Sequence, residues 1–232
     1  PSFGFDRGFD TYVSAASSPW AGVQSKAPAP HEQSHTDVTN PRMKARLEEW
    51  LAIPRTGHRN FLFLHMWDVH YDYVAPQRYV DLFDPSYTGT LDASNLPSNK
   101  SINPNMDRRD FQHLLALYDA EIRYTDDTIR ELLDMLKKAG LLENTAVIVA
   151  SDHGDEFLEH GGCGHMKTLY EEVLRIPLIL HLFGQPSTAS SVPAVVSLVD
   201  VFPTVCELFM VDCQYQGPGE SLAGYLWGKV PR

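Results

Sequence analysis

The sequence is short of several features that would narrow its function by themselves. It has only three cysteines, Cys163, Cys206 and Cys213, and no pair of them has the Cys-x-x-Cys spacing of a structural zinc site. No apolar run approaches the roughly 18 residues of a membrane-spanning helix. Basic residues are outnumbered, 19 against 30 acidic ones, and the net charge of −11 disfavours a broad surface for nucleic acid or anionic membrane. An acidic chain that binds anions therefore needs a local group of cations or a bound metal ion.

Cysteine spacing and the first residues leave the cellular context open. A Cys206–Cys213 bridge and free buried thiols are equally compatible with the sequence. The chain starts at Pro1 without a methionine, and its opening is rich in turn-forming residues. We therefore expect a piece of a longer protein, in which missing targeting signals carry no information about location.

Apolar periodicity predicts the fold class. Periodic apolar positions predict helices at about 39–52 and 106–138, and apolar runs predict buried strands at 60–66, 145–150 and 176–182. Strands that alternate with helices favour an α/β fold with a mostly parallel sheet flanked by helices.

Two segments do not fit that alternation. Residues 1–40 are typical of a loop-rich lead-in, and residues 71–106 form a Pro-, Asn-, Ser- and Tyr-rich insertion of the length that is usually functional or disordered. Asp119 and Glu121 of the long predicted helix could be ligands, but such carboxylates more often lie on the solvated face of a helix, where we expect them.

The segment after the predicted strand at 145–150 gathers groups that bind metals and anions. Asp152 and His153 follow the strand directly, and in open α/β sheets ligands bind at the carboxyl ends of strands. Three further candidates follow before the next strand: His160, His165 and Lys167. Singly, such an Asp caps a helix and such a histidine lies at the surface or in the core. Because they follow one another in a single connection between two predicted strands, together they predict a metal and anion site.

A second polar group follows the predicted strand at 60–66. It consists of Asp68 and His70, flanked by Tyr71 and Tyr73. If this strand is parallel to the next one, His70 reaches the same edge of the sheet, where it contacts an anion or protonates a leaving group. The alternative is a histidine held by a neighbouring carbonyl group.

Together these motifs resemble the sulfatase family of the alkaline-phosphatase superfamily. They occur in the family's order along nearly the whole chain: Gly4-Phe-Asp-Arg-Gly-Phe-Asp10, Phe61-Leu-Phe-Leu-His65 with Asp68-x-His70, Tyr118 to Asp126, Ser151-Asp-His-Gly154, Glu159-His-Gly161, Thr168-Leu-Tyr-Glu-Glu172, Asp200-Val-Phe-Pro-Thr204 and Gly219-Glu-Ser-Leu222. The resemblance implies an alkaline-phosphatase-like α/β fold, with residues 1–232 as the central and later part of one domain.

The resemblance also implies a hydrolase of sulfate esters that depends on a divalent metal. Asp152 and His153 match the pair that supplies the later metal ligands, and His70 resembles the histidine that contacts the sulfate. Calcium is the metal that the family implies, whereas an imidazole ligand also suits manganese or zinc. The expected partner is a small anionic sulfate or phosphate ester, with no nucleic acid and no membrane span.

The sequence departs from the family pattern at two points. The position usually held by a lysine falls on His165, and Lys167 lies two residues further on. Either side chain can neutralise substrate oxygens, and we favour His165, which would make anion binding pH-dependent. The family's nucleophile, a formylglycine from a Cys/Ser-x-Pro-x-Arg motif, is not encoded in these 232 residues. We expect it, and the paired aspartates of the first strand, upstream of Pro1 or in another polypeptide, so this chain alone should not turn over substrate.

Three hypotheses follow. The first is part of a sulfatase, and the second is part of a related phosphate or phosphonate ester hydrolase. The third is a non-catalytic, sulfatase-like binding subunit. In the first two, metal acts as a Lewis acid on the ester oxygens, and cationic and imidazole groups stabilise the transition state.

Overall fold

The computed structural model of the chain describes residues 6–13, 39–54, 59–93, 96–165, 167–185 and 191–228. The chain divides into two compact units, which we describe separately. The first unit comprises residues 1–142 and 153–175, and the second comprises residues 143–152 and 176–232.

The described residues form helices in both units, and the first four of them belong to the first unit. The helices of the described residues are α1 (Asn40–Leu51), α2 (Gln77–Phe83), α3 (Arg108–Lys138), α4 (Glu171–Leu174), α5 (Val201–Leu208) and α6 (Ala223–Leu226). Short 3-10 turns lie at Leu96–Ser98, Leu142–Asn144 and Leu198–Asp200.

Helix α3 is the long helix predicted from the periodicity. It begins after Asp107, whose side chain accepts the backbone N–H of Arg109 at 2.7 Å, and this capping interaction satisfies one of the free donors of the first turn. Leu114, Leu132 and other apolar residues bury one face, against which α1 and α2 pack. Gly140, with a φ of +70°, ends the helical segment in the left-handed conformation that glycine adopts most easily.

Helix α1 confirms the helix predicted near residues 39–52. The Asp68 carboxylate supplies its N-terminal cap, because it accepts the backbone N–H of Thr39 at 2.8 Å and that of Asn40 at 3.0 Å. Met43 and Leu47 lie on the buried face. The cap joins this helix to the segment that carries His70.

The described residues of the insertion predicted at 71–106, which are 71–93 and 96–106, contribute to the core of the first unit. The insertion contains α2 and a 3-10 turn, and it packs four buried residues against Leu114 of α3 and Phe157: Tyr71, Tyr73, Ala93 and Leu96.

The strands of the described residues are β1 (Ala146–Ala150), β2 (Glu156–Phe157), β3 (Cys163–Gly164) and β4 (Leu178–Leu182). They form two two-stranded sheets: β1 pairs with β4 in the second unit, and β2 with β3 in the first. Both pairs are antiparallel. The mostly parallel sheet predicted from the sequence is therefore not what the described strands form, because strand direction depends on how the chain returns and an apolar run carries no such information.

The predicted buried strand at 60–66 is also wrong for the described residues. The segment is assigned to neither sheet, and Phe61 and Phe63 are 66% and 65% exposed. Burial alternates between exposed and half-buried along it, as expected for an extended backbone that buries one side. Its composition suits a strand, but a strand also needs a hydrogen-bonding neighbour.

The second unit contains a disulfide bond between Cys206 and Cys213, which joins the end of α5 to the following loop. Of the two states that the sequence left open, the structure has the bridged one. Cys163, in the first unit, is free and half-buried, and burial raises the pKa of its thiol to about 12. In the described part of the chain, no helix has the length and apolarity needed to cross a membrane.

Candidate functional site

Three histidines of the first unit lie together and form what we call the imidazole cluster: His70, His153 and His165. The ring centroids of His153 and His165 are 3.7 Å apart, and those of His70 and His165 are 5.3 Å apart. His165 also stacks on Tyr71 at 4.8 Å. The cluster unites the two polar groups that the sequence places about 90 residues apart, as expected of a binding site.

Asp155 contacts the imidazole cluster through His165. Its Oδ1 lies 2.8 Å from Nδ1 of His165, and its Oδ2 accepts the Tyr73 hydroxyl at 2.8 Å. The side chain is only 6% exposed. Burial, followed by the charge of Asp155, raises the pKa of Tyr73 well above its ordinary value, so the phenol remains a donor.

His153, Asp155 and His165 each offer one potential metal-ligand atom, and these atoms lie within 4.8 Å of one another. The Nδ1 of His153 is 2.9 Å from the carbonyl oxygen of Gly154, the second contact that metal-binding histidines usually make. His153 is therefore well arranged to bind metal through its other nitrogen. Each oxygen of Asp155 has one of these contacts, which leaves further lone pairs on the carboxylate for a metal.

Lys167 brings a cation to the cluster. It is exposed, and with His153 and His165 it lines an open depression of about 360 Å³. The other lining residues are Thr168, Leu169 and Val173. Imidazoles and an ammonium group around an open depression are suited to a small anion.

A buried carboxylate holds the connection that carries these residues. Glu156 is 1% exposed and accepts the backbone N–H groups of His160 and Gly162 and the hydroxyl of Thr168, at 3.0, 2.8 and 3.1 Å. Burial raises its pKa, but these donors together hold the pKa below the ordinary value. Glu156 therefore closes the loop that precedes His165.

The segment that carries His70 is anchored by three buried carboxylates. Asp68 caps α1, and Asp72 accepts the backbone N–H of Leu96 at 3.0 Å. Glu121 of α3, only 3% exposed, accepts the N–H of Val74 at 2.9 Å. The solvated position expected for Glu121 is therefore wrong, whereas Asp119 is exposed as predicted.

Glu121 has an unusual protonation equilibrium. Its pKa is raised from 4.5 to about 8, mainly by burial and also by the charges of Asp68 and Asp72, against the opposing hydrogen bonds from the backbone N–H groups of Val74 and His70. Its Oε2 is buried without a hydrogen-bond partner. A protonated carboxyl group near neutral pH avoids placing a third buried charge beside two others.

The remaining predicted residues lie elsewhere in the described chain. Asp152 is exposed directly after β1, in the second unit, whereas His153 belongs to the first. His160 stacks on Tyr170 with ring centroids 3.5 Å apart and pairs with Glu172 at 3.4 Å, outside the imidazole cluster.

Sequence reasoning missed Asp155 and Glu156 as site residues. One signal was available: the two carboxylates follow His153 and Gly154 directly, and the connection already held several polar candidates. Which carboxylate faces His165 depends on the β2–β3 hairpin, whose short strands have no clear periodicity.

Comparison with known proteins shows what the chain as a whole is similar to. The family model described as Sulfatase matches residues 2–211. Arylsulfatase K of Canis lupus familiaris is 33% identical over 126 residues, which are 54% of this chain and 22% of that protein. The match therefore spans less than a quarter of that relative's length.

Two solved structures share the fold. The structure of yidJ from Bacteroides fragilis superposes with a TM-score of 0.65 at 24% identity, over 84% of this chain and 43% of that one. The phosphonate monoester hydrolase of Silicibacter pomeroyi gives 0.63 at 22% identity, over 83% and 41%. These likenesses show a shared fold, consistent with the α/β class.

Proposed function

This chain belongs to the sulfatase family, and we propose that it supplies the anion- and metal-binding residues of an enzyme that hydrolyses sulfate esters. The observation that carries the proposal is that His153 and His165, two of the three histidines of the imidazole cluster, line one open depression together with Lys167. Donors placed around one small volume stabilise the charge that develops on ester oxygens during hydrolysis.

We assign roles as follows. His70 and His165 contact the oxygens of the sulfate group and act as the catalytic imidazoles, and Lys167 adds a fixed positive charge. Of the two residues considered for the position usually held by a lysine, His165 is favoured because it lies in the cluster, while Lys167 is exposed at its border.

Asp152 and His153 would hold a divalent metal ion. The contact of His153 Nδ1 with the Gly154 carbonyl fits this assignment, because metal-binding histidines usually have such a second contact, which orients the ring. The metal supplies a Lewis acid that polarises the ester oxygens. A carboxylate suits calcium, our first choice, whereas an imidazole also suits manganese or zinc.

The experiment uses the protein as the cell makes it, since these 232 residues contain no nucleophile motif. Hydrolysis of p-nitrophenyl sulfate and of a p-nitrophenyl phosphonate monoester is measured in chelator and after addition of calcium, manganese or zinc. We expect metal-dependent hydrolysis of the sulfate ester, reduced at least about 100-fold by Asp152→Ala. Asp134→Ala, which removes an exposed carboxylate from α3, is the control and should leave the rate unchanged.

The possible results separate the three hypotheses. A preference for the phosphonate ester would move the assignment to phosphoryl transfer. No hydrolysis of either ester with any metal would favour a non-catalytic binding subunit. A rate that does not respond to Asp152→Ala would remove this residue from the metal site.

A further inference from the structure

Asp155 is a buried carboxylate whose two oxygens have different partners. Oδ1 contacts Nδ1 of His165 at 2.8 Å, and Oδ2 accepts the Tyr73 hydroxyl at 2.8 Å. The first partner belongs to the imidazole cluster, and the second belongs to the apolar core of the first unit. Asp155 therefore links the cluster to a rigid part of the molecule.

Tyr73 holds Asp155 in place. The tyrosine is 3% exposed, and its ring packs against Tyr118 and Phe157 with centroid distances of 5.2 and 5.9 Å. Since the ring is enclosed, its hydroxyl has a defined position. The hydrogen bond from that hydroxyl limits rotation of the Asp155 carboxylate.

The contact with Asp155 determines which nitrogen of His165 is available. A carboxylate only accepts hydrogen bonds, so Nδ1 of His165 must carry a proton. This holds for the neutral and the charged ring alike. Nε2 is then the atom left for other partners: it donates when it carries a proton and accepts when it does not.

The plane of the His165 ring is set by its neighbours. Tyr71 stacks on it with an interplanar angle of 30°, and the His153 ring lies 3.7 Å away. Stacking defines the plane, and the hydrogen bond to Asp155 defines the rotation within that plane. Together they define the direction of Nε2.

We propose that Asp155 is a positioning residue for His165: it keeps a proton on Nδ1 and directs Nε2 at the sulfate group of the ester, to which Nε2 donates when the ring is the doubly protonated imidazolium. This inference rests on the proposed function for the identity of the anion, but the state of the ring can be tested without a substrate. A lysine in this position would need no such partner, because an ammonium group has no tautomers.

The chain contains a matched control pair. His113 of α3 contacts Asp84 through Nδ1 at 2.8 Å, and the two side chains are 9% and 10% exposed. In the proposed pair the values are 2.8 Å, 9% and 6%. The control pair involves none of the imidazole cluster, so Asp84→Asn removes an equivalent carboxylate from another part of the unit.

The first test measures the proton on His165 by NMR in the full protein labelled with ¹⁵N-histidine. The His165 signals are identified by their absence in His165→Gln. We expect a protonated Nδ1 in the wild type, and a partial or complete change to the Nε2–H form in Asp155→Asn. Asp84→Asn should leave the His165 signals unchanged. A wild-type His165 in the Nε2–H form would overturn the proposal, and so would signals that do not respond to Asp155→Asn.

The second test measures kcat and KM for p-nitrophenyl sulfate. Asp155→Asn should lower kcat by about 10- to 100-fold, the usual effect of losing a residue that orients a site imidazole. Asp155→Glu should recover part of the loss, whereas Asp84→Asn should stay within about twofold of wild type. Equal losses in Asp155→Asn and Asp84→Asn would mean that both carboxylates act only through stability.

The two tests distinguish failure of this inference from failure of the proposed function. A wild type without sulfatase activity but with the expected Nδ1–H form would contradict the proposed function alone. If Asp155→Asn does not fold, the wild-type NMR result still decides the inference.

Discussion

Two aspartate–histidine pairs in the first unit have nearly the same geometry and very different surroundings. Asp84–His113 and Asp155–His165 both have an Nδ1–O distance of 2.8 Å, and all four side chains are at most 10% exposed. By distance and burial alone, the two pairs are equivalent.

Their neighbours differ. The Asp84 carboxylate also pairs with Arg109, and hydrogen bonding from this guanidinium is the main reason why the pKa of Asp84 lies below its ordinary value. His113 stacks on the Tyr87 ring with centroids 3.6 Å apart. These contacts are those of a structural ion pair between α3 and the residues that follow α2.

Around Asp155 the second partner is the neutral Tyr73 hydroxyl, and His165 lies beside two further histidines. A histidine contacted by a carboxylate is therefore no functional signature by itself. Asp155, which has no Arg or Lys partner among the described residues and faces the imidazole cluster, is the carboxylate expected to serve a site.

The largest expected difference between the pairs is in activity. His165→Ala should lower kcat/KM for an aryl sulfate by about 100- to 10,000-fold, the range for loss of a catalytic imidazole. His113→Ala should stay within about twofold wherever the variant is folded. Steady-state kinetics on the full protein, with folding checked by circular dichroism, measures both. Similar losses in the two variants would show that the pairs do not differ in role.

The pH dependence of stability should have one sign for Glu121, which anchors the segment that carries His70, and the opposite sign for Asp84 of the control pair. The folded-state pKa of Glu121, which anchors the segment leading to Tyr73, is raised from 4.5 to about 8. Its contribution to the free energy of unfolding is therefore complete below about pH 4.5 and is lost as the pH rises through 8. Chemical unfolding between these pH values should show a decrease on the order of a few kcal/mol, which Glu121→Gln should largely remove. Glu131→Gln, an exposed carboxylate on the same helix, should retain it.

Asp84 provides the opposite case. Its folded-state pKa is lowered from 3.8, so its stabilisation is present above that value and is lost as the pH falls through the folded-state pKa. Unfolding measured in acid should be less pH-dependent in Asp84→Asn than in wild type. If the free energy of unfolding depends on pH in Glu121→Gln and in Asp84→Asn as it does in the wild type, neither carboxyl group causes the pH dependence assigned to it.

Removal of the Arg109 guanidinium, which pairs with Asp84 of the control pair, should lower stability and leave activity unchanged. Arg109 donates from Nη1 to Asp84 at 2.7 Å, and Arg109→Gln should lower the free energy of unfolding by about 1–2 kcal/mol. A double-mutant cycle with Asp84→Asn should give a coupling of about 0.5–3 kcal/mol, because the two side chains are in contact. Aryl sulfatase activity should not change. A fall in kcat would connect this pair to the site.

The smallest expected effect comes from two matched tyrosines. Tyr73→Phe removes the hydrogen bond to Asp155 but not the contact of Asp155 with His165, so kcat should fall by about fivefold, equivalent to about 1 kcal/mol. Tyr87→Phe removes the 2.6 Å hydrogen bond to Asp110 and the 2.8 Å hydrogen bond from the backbone N–H of Leu91, and should reduce stability by about 1–3 kcal/mol without changing kcat. An unchanged kcat in Tyr73→Phe would show that Asp155 and His165 keep their positions without the hydrogen bond from Tyr73.

Local sequence was sufficient to predict helices and strands, but not which segments pair with one another. The periodicity of α3, the helix at α1 and the apolar runs at β1 and β4 predict these elements, because each pattern describes one residue's neighbours along the chain. The run at 60–66 has the same apolar character, yet its described residues are assigned to neither sheet.

The same limit applies to the candidate site. His70, His153, His165 and Lys167 are identifiable from residue type and order, and the structure brings the three histidines together in one cluster. Asp155 and Glu121 are not identifiable in this way. Their roles come from burial and from contacts with residues 10 or more positions away, which residue type does not specify.

The sequence by itself determined the family, the main helices and the supply of imidazole, carboxylate and ammonium groups, because these are encoded by residue type and local spacing. The tertiary structure decided that the described strands pair antiparallel and that Glu121 is buried with a raised pKa. It also decided which of two similar aspartate–histidine pairs faces the imidazole cluster. These properties depend on desolvation and on distances between residues far apart in the chain, which form only when the chain folds.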